Sequence, residues 1–316
     1  MPPYANHLSN SSDLVTSHEA TRSGFLELAL ERNRKSIPAI GEAHALKAAV
    51  KQVTSPEGLF EVPDIQKALL SAAGISEKAA KYFTEQDKHD AIQRLITEFL
   101  EPAGEDYIEE LLYRFLLTKG DALGGMMRNI GGELGQRKFT QALLSTLRLQ
   151  EIRFTWRQRR NAPWSDEDPG PLIDGRIQAI AWEHQQRKRV LLYNIKVPVV
   201  GQNVDICVLK CRPRDAERAI QTPASYIALG ELKGGIDPAG ADEHWKTARS
   251  ALQRIRTQFN AQDVTPLPHT FFVGGAIVAG MANEIWEMLI RGSLENAANL
   301  ASPNQLALLC RWLISI

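Results

Sequence analysis

The chain lacks several features that define particular classes of protein. Its 316 residues include only three cysteines, Cys207, Cys211 and Cys310. Their number is odd and their spacing is not that of a metal site, so we expect reduced, buried thiols without a disulfide or zinc. No apolar run approaches about 18 residues, which excludes a membrane-spanning helix. The polar N-terminus lacks the charged-then-apolar pattern of a secretory signal. These absences predict a cytoplasmic globular protein.

The chain also lacks net charge, but its charges are unevenly distributed. The formal net charge is zero. Residues 1–118 carry 12 Lys/Arg and 18 Asp/Glu, a net −6, whereas the remainder carries 25 and 19, a net +6. Basic clusters lie at 153–160, 187–189 and 210–214. A positive surface attracts polyanions with salt-dependent affinity, although clustered arginines on loops are also common in proteins that bind no nucleic acid.

Two short apolar segments carry acidic residues. Residues 203–209 (NVDICVL) contain Asp205, and residues 226–233 (YIALGELK) end with Glu231 and Lys233. Both segments contain β-branched residues and are bounded by turn residues, which favours neighbouring buried strands. Because side chains alternate along a strand, Glu231 and Lys233 point to the same side. We therefore predict that Asp205 meets them from the adjacent strand.

Two carboxylates and an ammonium in this arrangement suit hydrolysis of a phosphodiester. Magnesium is commonly held by one or two protein carboxylates, and it polarises a phosphoryl oxygen and lowers the pKa of bound water. A lysine beside it stabilises the negative charge that grows in the transition state. A bare Glu-x-Lys is a weak signal, but no other Asp/Glu-x-Lys occurs in this chain. The alternative is a salt bridge on an edge strand, where charges are common.

The residues around these segments resemble a known family. The similarity lies in residues 120–129 (GDALGGMMRN), 203–210 (NVDICVLK) and 230–248 (GELKGGIDPAGADEHWKTA), and it covers most of the chain. They resemble the AvaI/BsoBI family of type II restriction endonucleases, which belongs to the PD-(D/E)xK nuclease superfamily. The long third segment is distinctive, whereas the acidic residues and lysine alone are not. One departure is Val204, which stands where the superfamily pattern has proline.

The resemblance implies a magnesium-dependent homodimer that cuts both strands of double-stranded DNA at the palindrome CYCGRG and leaves 5′ overhangs. A twofold-symmetric dimer presents the same site to each strand of a palindrome. A cognate DNA methyltransferase that protects host sites is the implied functional, not physical, partner. Asp205 and Glu231 match the metal-binding acids, Lys233 the lysine, and His244 a histidine near the scissile phosphate. Without the resemblance, His244 is interpreted as a solvated residue at the start of a helix.

Four further residues are candidates for DNA contact. Asp237 is either a turn former before proline or a carboxylate that accepts from a cytosine amino group in the major groove. Lys246 and Arg249 lie off the apolar stripe of a predicted helix over 242–259, and they either grip phosphates or form a solvated face. Lys81 lies in a predicted helix that begins with a Ser76 cap, and its face either reaches into a DNA groove or is solvated. The predicted stripe consists of Trp245, Ala248, Leu252, Ile255 and Phe259.

The apolar spacing divides the chain into two parts. Residues 1–118 are predicted to form a largely helical domain that surrounds the DNA or makes dimer contacts, with the first 20 or so residues frayed. Residues 119–316 are predicted to form the catalytic domain. Predicted helices cover 24–34, 39–53, 64–73, 76–82, 86–100 and 105–117. The glycine-rich link 120–135 lacks the Gly-Lys-Ser/Thr ending of a phosphate loop, which argues against nucleotide binding. Adjacent glycines more simply allow tight turns and close helix packing.

The second part predicts an α/β fold of the PD-(D/E)xK restriction-endonuclease type. Strands are predicted at 178–183 or 190–200, at 203–209, at 226–233 and at 270–279, with helices at 136–150, 242–259, 281–291 and 304–315. Antiparallel strands, an Asp strand, a Glu-x-Lys strand, a helix and a parallel strand form a central mixed sheet, and helices cover its faces.

Two other functions stay open at this point. One is a different PD-(D/E)xK DNA nuclease, such as a repair or structure-selective enzyme without a fixed target sequence. The other is a non-catalytic DNA-binding protein that uses the carboxylates structurally. Discrete fragments from a plasmid digest distinguish restriction from the first alternative, and loss of cutting on changing Glu231 or Lys233 excludes the second.

Overall fold

The computed structural model describes residues 1–170 and 177–316. These residues form two compact units, one of Met1–Phe25 with Gly131–Ile316 and one of Leu26–Ile130. A mixed sheet lies in the first unit, and the second unit is helical. The predicted combination of an α/β fold with a helical N-terminal region is confirmed.

The sheet has seven strands in chain order among the described residues. The strands are β1 Phe154–Arg157, β2 Ala179–His184, β3 Arg187–Val197, β4 Gln202–Leu209, β5 Tyr226–Lys233, β6 His269–Gly274 and β7 Asn296–Asn299. The first five pair antiparallel, and β5–β6 and β6–β7 pair parallel. The predicted order of antiparallel strands, Asp strand, Glu-x-Lys strand and parallel strand is therefore confirmed.

Eight α-helices are present in the described part of the chain. They are α1 His18–Ala49, α2 Gln66–Ala72, α3 Glu85–Leu95, α4 Tyr107–Leu149, α5 Ala216–Ile220, α6 Ala241–Asn260, α7 Ala279–Ile290 and α8 Pro303–Ser315. Five residues of α6 were predicted to face the core, and all five are buried. No helix in the described ranges is both long and apolar enough to span a bilayer.

Both faces of the sheet are covered, because apolar residues alternate between two cores. Ile206 and Val208 of β4 lie in one core with residues of α4 and α8. Cys207 and Leu209 of the same strand lie in the other core with residues of α5 and α6. A strand buried on both faces reads as a continuous apolar run, which is why the sequence revealed β4 and β5 clearly.

The N-terminal residues pack on the sheet unit, so the expectation that they fray is wrong. Leu8 and Leu14 are buried in a cluster with residues of α6 and α7. The backbone N–H of Thr16 donates to the carbonyl of Ile277 at 2.9 Å. The Asn299 amide donates to the carbonyl of Leu14 at 2.8 Å. Burial of two leucines and these hydrogen bonds hold a segment whose polar composition suggested disorder.

The helical region contains fewer helices than the sequence predicts, and two of them, α1 and α4, are longer than predicted. Helix α1 continues through Pro38, which separated two predicted helices. Proline removes one hydrogen bond of the helix, but the residues around Pro38 are exposed, so water can satisfy the freed carbonyl. Helix α4 likewise includes the glycine-rich link 120–135. Glycine costs a helix roughly 1 kcal/mol relative to alanine, and neighbouring helical residues can offset this.

The compact units divide the chain elsewhere than the predicted boundary at residue 118. That residue lies inside α4, and the units separate at 25/26 and 130/131. A boundary was expected where the glycine-rich segment ended the apolar spacing, but an uninterrupted helix crosses it.

Strands β1 and β7 were not predicted. Strand β1 lies within the basic segment 153–160, where charged residues hid the strand pattern. Strand β7 has the sequence NAAN, without a β-branched residue. Its four residues are all buried, and parallel pairing with β6 overrides their low strand propensity.

Glycines from three segments meet after β5. A Cβ on Gly135 would lie 2.6 Å from the Cα of Gly234, and a Cβ on Gly234 would lie 2.1 Å from the carbonyl oxygen of Gly131. A Cβ on Gly275 would lie 2.6 Å from the carbonyl oxygen of Gly235. The backbones of α4, of the loop after β5 and of the loop after β6 thus approach more closely than side chains allow.

We predict that Gly135→Ala destabilises the protein by roughly 1–3 kcal/mol, because the new methyl group overlaps backbone that cannot rotate away. Gly132→Ala is the matched control, since nothing lies within 4 Å of its Cβ position on the same helix. This control should be stabilised by roughly 0.5–1 kcal/mol through higher helix propensity. Denaturant unfolding measures both changes. Equal effects of the two substitutions would contradict the close backbone contact.

Candidate active site

Asp205, Glu231 and Lys233 lie on the α6 face of the sheet. In β4, Asp205 lies two residues before Cys207, so the two side chains point to the same face of the sheet. In β5, Glu231 and Lys233 lie two and four residues after Leu229, so all three side chains share a face. Cys207 and Leu229 belong to the core that includes α6 residues. Strand alternation therefore directs all three polar side chains to one face, as the sequence predicted.

The three side chains are in direct contact. The Lys233 Nζ donates to Asp205 Oδ2 at 2.8 Å and to Glu231 Oε2 at 2.8 Å. The paired register of β4 and β5 ends at Ile206 and Gly230, and beyond it the backbone N–H of Leu232 donates to Asp205 Oδ2 at 2.9 Å. The Asp205 carboxylate thus takes the place of a backbone acceptor at the end of the ladder.

Burial makes the charges of this cluster unequal. The Glu231 side chain is 4% exposed, whereas Asp205 is 26% and Lys233 20% exposed. Burial, followed by repulsion from Asp205, raises the pKa of Glu231 to about 7. Burial opposes the charge of Lys233, but attraction to Glu231 and Asp205 dominates and raises its pKa. Lys233 therefore stays an ammonium at neutral pH, while Glu231 is poised to gain or lose a proton.

Gly230 allows an aromatic ring to pack on the opposite face of β5 from this cluster. A Cβ at Gly230 would lie 2.3 Å from the ring of Phe271, which is fully buried on the neighbouring strand β6. The glycine of the GELK segment is thus required for packing behind the strand that carries Glu231. This requirement was not predicted, although a glycine inside a strand is a known sign of close approach.

His244 lies in the first turn of α6, close to the loop that follows Lys233. A Cβ at Gly235 would lie 3.3 Å from His244 Nε2, and one at Gly240 would lie 3.6 Å from it. The residue is exposed, and it has no hydrogen-bond partner within 1–170 and 177–316. The imidazole therefore lies over the loop, free to bind a solvent molecule or a phosphate, and it does not contact the carboxylates.

Asp237 forms the turn that precedes α6. Its Oδ1 accepts from the backbone N–H of Ala239 at 2.9 Å and caps the short helical turn Pro238–Gly240. The turn-forming interpretation is therefore confirmed. The side chain is exposed, and its second oxygen has no partner in the part of the chain that the structure describes.

The three cationic candidates for DNA contact lie outside the cluster. Lys246 is exposed and pairs with Glu243 at 3.3 Å and Asp242 at 3.9 Å on its own helix. Arg249 forms an ion pair with Glu284 of α7. Lys81 is exposed in a short helical turn, Ala79–Tyr82, where the sequence predicted a longer helix. The N–H of Ala79, the first residue of this turn, donates to Ser76 Oγ at 3.2 Å.

The residues of the cluster fit a hard divalent cation. Asp205 and Glu231 each direct a carboxylate oxygen to the same ammonium nitrogen, so their oxygens converge on one place. Within the described ranges no group of three or more His, Cys, Asp or Glu side chains forms a metal site. Two carboxylates nevertheless suffice for magnesium, which keeps several waters and substrate oxygens in its shell.

Comparison with known proteins establishes the class. The family model described as "Restriction endonuclease BsobI" matches residues 4–316. The chain is 51% identical to the type II restriction enzyme AvaI of Nostoc sp. and to that of Anabaena variabilis, in each case over 99% of this chain and 100% of the relative. It is 48% identical to the type II restriction enzyme BsoBI of Geobacillus stearothermophilus, over 99% of this chain and 98% of that protein.

These matches define a type II restriction endonuclease, a site-specific deoxyribonuclease that binds and hydrolyses DNA. The chain belongs to the BsobI restriction endonuclease family. The resemblance found in the sequence is thereby confirmed, and the two open alternatives, a repair nuclease and a non-catalytic DNA-binding protein, are set aside.

We predict that Glu231→Gln stabilises the metal-free protein at pH 8 but not at pH 4.5 or below. An ordinary Glu ionises near 4.5, whereas Glu231 ionises near 7 in the folded protein. Above pH 7 the folded state therefore carries a disfavoured buried charge that the amide avoids, a difference of roughly 1–3 kcal/mol. The gain should begin near pH 4.5 and reach its full size above pH 7.

Thermal unfolding in the presence of a chelator, measured from pH 4.5 to pH 8, tests this prediction. Glu243→Gln is the control, because that carboxylate is exposed on α6. A stability gain for Glu231→Gln that does not change with pH would show that Glu231 has an ordinary pKa.

Proposed function

We propose that this enzyme cuts both strands of duplex DNA through a magnesium-dependent site of the PD-(D/E)xK type. Asp205 and Glu231 hold the metal, and Lys233 and His244 act on the phosphate and the attacking water. The observation that carries the proposal is the convergence of two carboxylates from neighbouring strands on the Lys233 ammonium at 2.8 Å each. The high identity to AvaI and BsoBI supports it.

Each residue of the site has a distinct role in this proposal. Magnesium bound by Asp205 and Glu231 would polarise the phosphoryl oxygen and lower the pKa of a coordinated water. Lys233, held protonated by its two carboxylates, places positive charge where negative charge develops. His244 accepts a proton from water or positions the phosphate, and its exposed imidazole beside the Lys233 loop has the access that either task requires.

Recognition is assigned to the loop and helix that follow β5 and to Lys81. Asp237 keeps one carboxylate oxygen for an amino group of cytosine while the other holds the turn. Lys246 and Arg249 contact phosphates, and Lys81 reaches into a DNA groove. Arg249 has to give up part of its pairing with Glu284 for this, whereas the solvent-exposed pairs of Lys246 cost little to exchange.

The proposed assembly is a homodimer acting on a palindrome. The described residues of one chain contain a single cluster like that of Asp205, Glu231 and Lys233. Matched cuts in both strands therefore require two copies related by a twofold axis. By resemblance the site is CYCGRG with 5′ overhangs, and a cognate methyltransferase protects the host DNA. Digestion of a sequenced plasmid with magnesium, with the ends mapped, tests these statements. A smear in place of discrete fragments would contradict them.

We expect Lys233→Ala and Glu231→Ala to lower the cleavage rate by about 100-fold or more, because each removes charge that acts in the transition state or on the metal. Lys51→Ala removes an exposed lysine and serves as the control, with normal cutting. Plasmid cleavage gives the rates, while circular dichroism and gel filtration verify fold and assembly. Normal cutting by either cluster variant rules out the proposed catalytic site.

His244→Ala should reduce cleavage by about 100-fold or more, the range expected for loss of a general base, with DNA binding retained. His44→Ala is the control, since His44 is exposed on α1. Single-turnover cleavage measures the rate, and fluorescence anisotropy in a chelator measures binding. A rate within a few-fold of wild type would remove His244 from the mechanism.

A further inference from the structure

A second cationic surface lies outside the active site. An open groove of about 710 Å³ is lined by residues from the β2–β3 turn, the start of β3, the segment after β4, helix α5 and the start of β5. Six of its lining side chains are cationic, and one, Asp215, is acidic. We call this the basic groove. Its six cationic side chains are those of Arg187, Lys188, Arg189, Lys210, Arg212 and Arg218.

Most of these charges have no acidic partner. Among the residues that the structure describes, Lys188 forms an ion pair with Glu183 at 3.6 Å, and Arg187, Lys210, Arg212 and Arg218 form none. Arg189 is 5% exposed and donates to the main-chain oxygen of Ile316, the last residue, at 2.8 Å. Burial and the neighbouring Arg187 lower its pKa. Like charges held together without counter-ions repel one another, and a bound polyanion relieves this repulsion.

The basic groove lies at the opposite end of the strands from the catalytic cluster. Ser225 and Ile227 line it at the start of β5, whereas Glu231 and Lys233 lie at the end of the same strand. Lys233 lies six positions after Ile227 on the strand, a distance of about 20 Å. On β4 the order is reversed, with Lys210 just after the last residue and Asp205 near the first. A phosphate at the cluster therefore cannot contact the groove.

The composition of the groove selects its ligand. Flexible cationic side chains on an open surface suit several phosphates spaced along a chain, because each cation can adjust to one phosphate. Few apolar side chains line the groove, so an apolar peptide segment gains little there. DNA is the polyanion that this class of enzyme binds. The phosphates of duplex DNA lie on its outer surface, which is wide enough to contact the cations along an open groove.

We propose that the basic groove binds the phosphate backbone of a DNA duplex segment distinct from the one held at the cleavage cluster. Its function is sequence-independent attachment to DNA, which raises the local concentration of target sites and assists transfer between segments. The separation of the two duplex segments rests on the proposed function of the Asp205, Glu231 and Lys233 cluster, whereas binding of a duplex in the groove does not.

The test compares variants in binding a fluorescent 20-base-pair duplex without the recognition site, in a chelator and over a range of salt concentrations. We expect Arg212→Ala/Arg218→Ala to weaken binding about tenfold at low salt. Because each lost phosphate contact lowers the salt slope by about 0.9, the slope should fall by about two. Asp215→Asn should strengthen binding a few-fold, because it removes the negative charge from the groove. The substitution should not disturb α5, since the Asp215 side chain does not cap that helix.

The matched control is Lys51→Ala/Arg291→Ala, which removes the same charge from exposed positions outside the groove and should leave binding unchanged. Cleavage of a short duplex with one mapped site should stay within twofold of wild type in Arg212→Ala/Arg218→Ala. Unchanged duplex binding in that variant would falsify the proposal. Loss of cleavage in parallel with binding would overturn it too, because the groove would then hold the cleaved duplex.

A competition arm separates DNA from other polyanions. Inorganic polyphosphate should displace the duplex from the wild-type protein and bind Arg212→Ala/Arg218→Ala more weakly. Polyphosphate binding that depends on the two arginines, together with duplex binding that does not, would overturn the assignment to DNA. If the wild-type protein cuts no plasmid, the proposed cleavage function fails, and the binding comparison still decides the role of the groove.

Discussion

The ammonium of Lys233 lies between two carboxylates that repel each other, and this charge balance is what the candidate site depends on. Asp205 and Glu231 come from different strands, and each directs an oxygen to the same nitrogen at 2.8 Å. Without that nitrogen, the deeply buried Glu231 would lose its counter-charge and ionise less readily. The same convergence brings together the oxygens that suit magnesium. In the proposed mechanism, a substrate phosphate therefore meets an already assembled set of charges, and little reorganisation is needed at the moment of reaction.

Backbone packing keeps this set of charges in place. Gly230 lets the Phe271 ring pack against β5, and Gly234 lets the loop after β5 touch helix α4. The N–H of Gly275 donates to the carbonyl of Lys233 at 2.8 Å, which ties the end of β5 to the loop after β6. Because these contacts involve backbone, they are rigid, and they fix the positions of Glu231 and Lys233 more firmly than flexible side chains could. The N-terminal segment reinforces this region, since Thr16 Oγ1 donates to the carbonyl of Gly275 at 2.9 Å.

Sequence identity and geometry contribute different parts of the functional conclusion. Identity of 51% and 48% to AvaI and BsoBI establishes the family and the class of reaction. The structure shows which side chains meet, and it separates the clustered Asp205, Glu231 and Lys233 from His244, which lies over the adjoining loop. It also reveals that the basic residues near 187–189 and 210–218, distant along the chain, form one surface at the other end of the sheet. Zero net charge thus hides two distinct electrostatic regions in the sheet-containing unit.

The sequence by itself determined β4, β5 and α6. Strands β4 and β5 are buried on both faces and therefore appear as continuous apolar runs, whereas α6 is buried on one face and therefore appears as an apolar stripe with helical spacing. It also determined that Glu231 and Lys233 share a face, since alternation is a property of any strand. Strand β7, with no β-branched residue, and the unbroken helices α1 and α4 were decided by tertiary structure, because packing and solvation outweigh the local preferences of proline, glycine and alanine. The same holds for the ordered N-terminus and for the groove, which depend on neighbours remote in the chain. The distance between Asp205 and Lys233 was likewise set only when β4 paired with β5, because register across strands is a long-range contact that no single segment encodes.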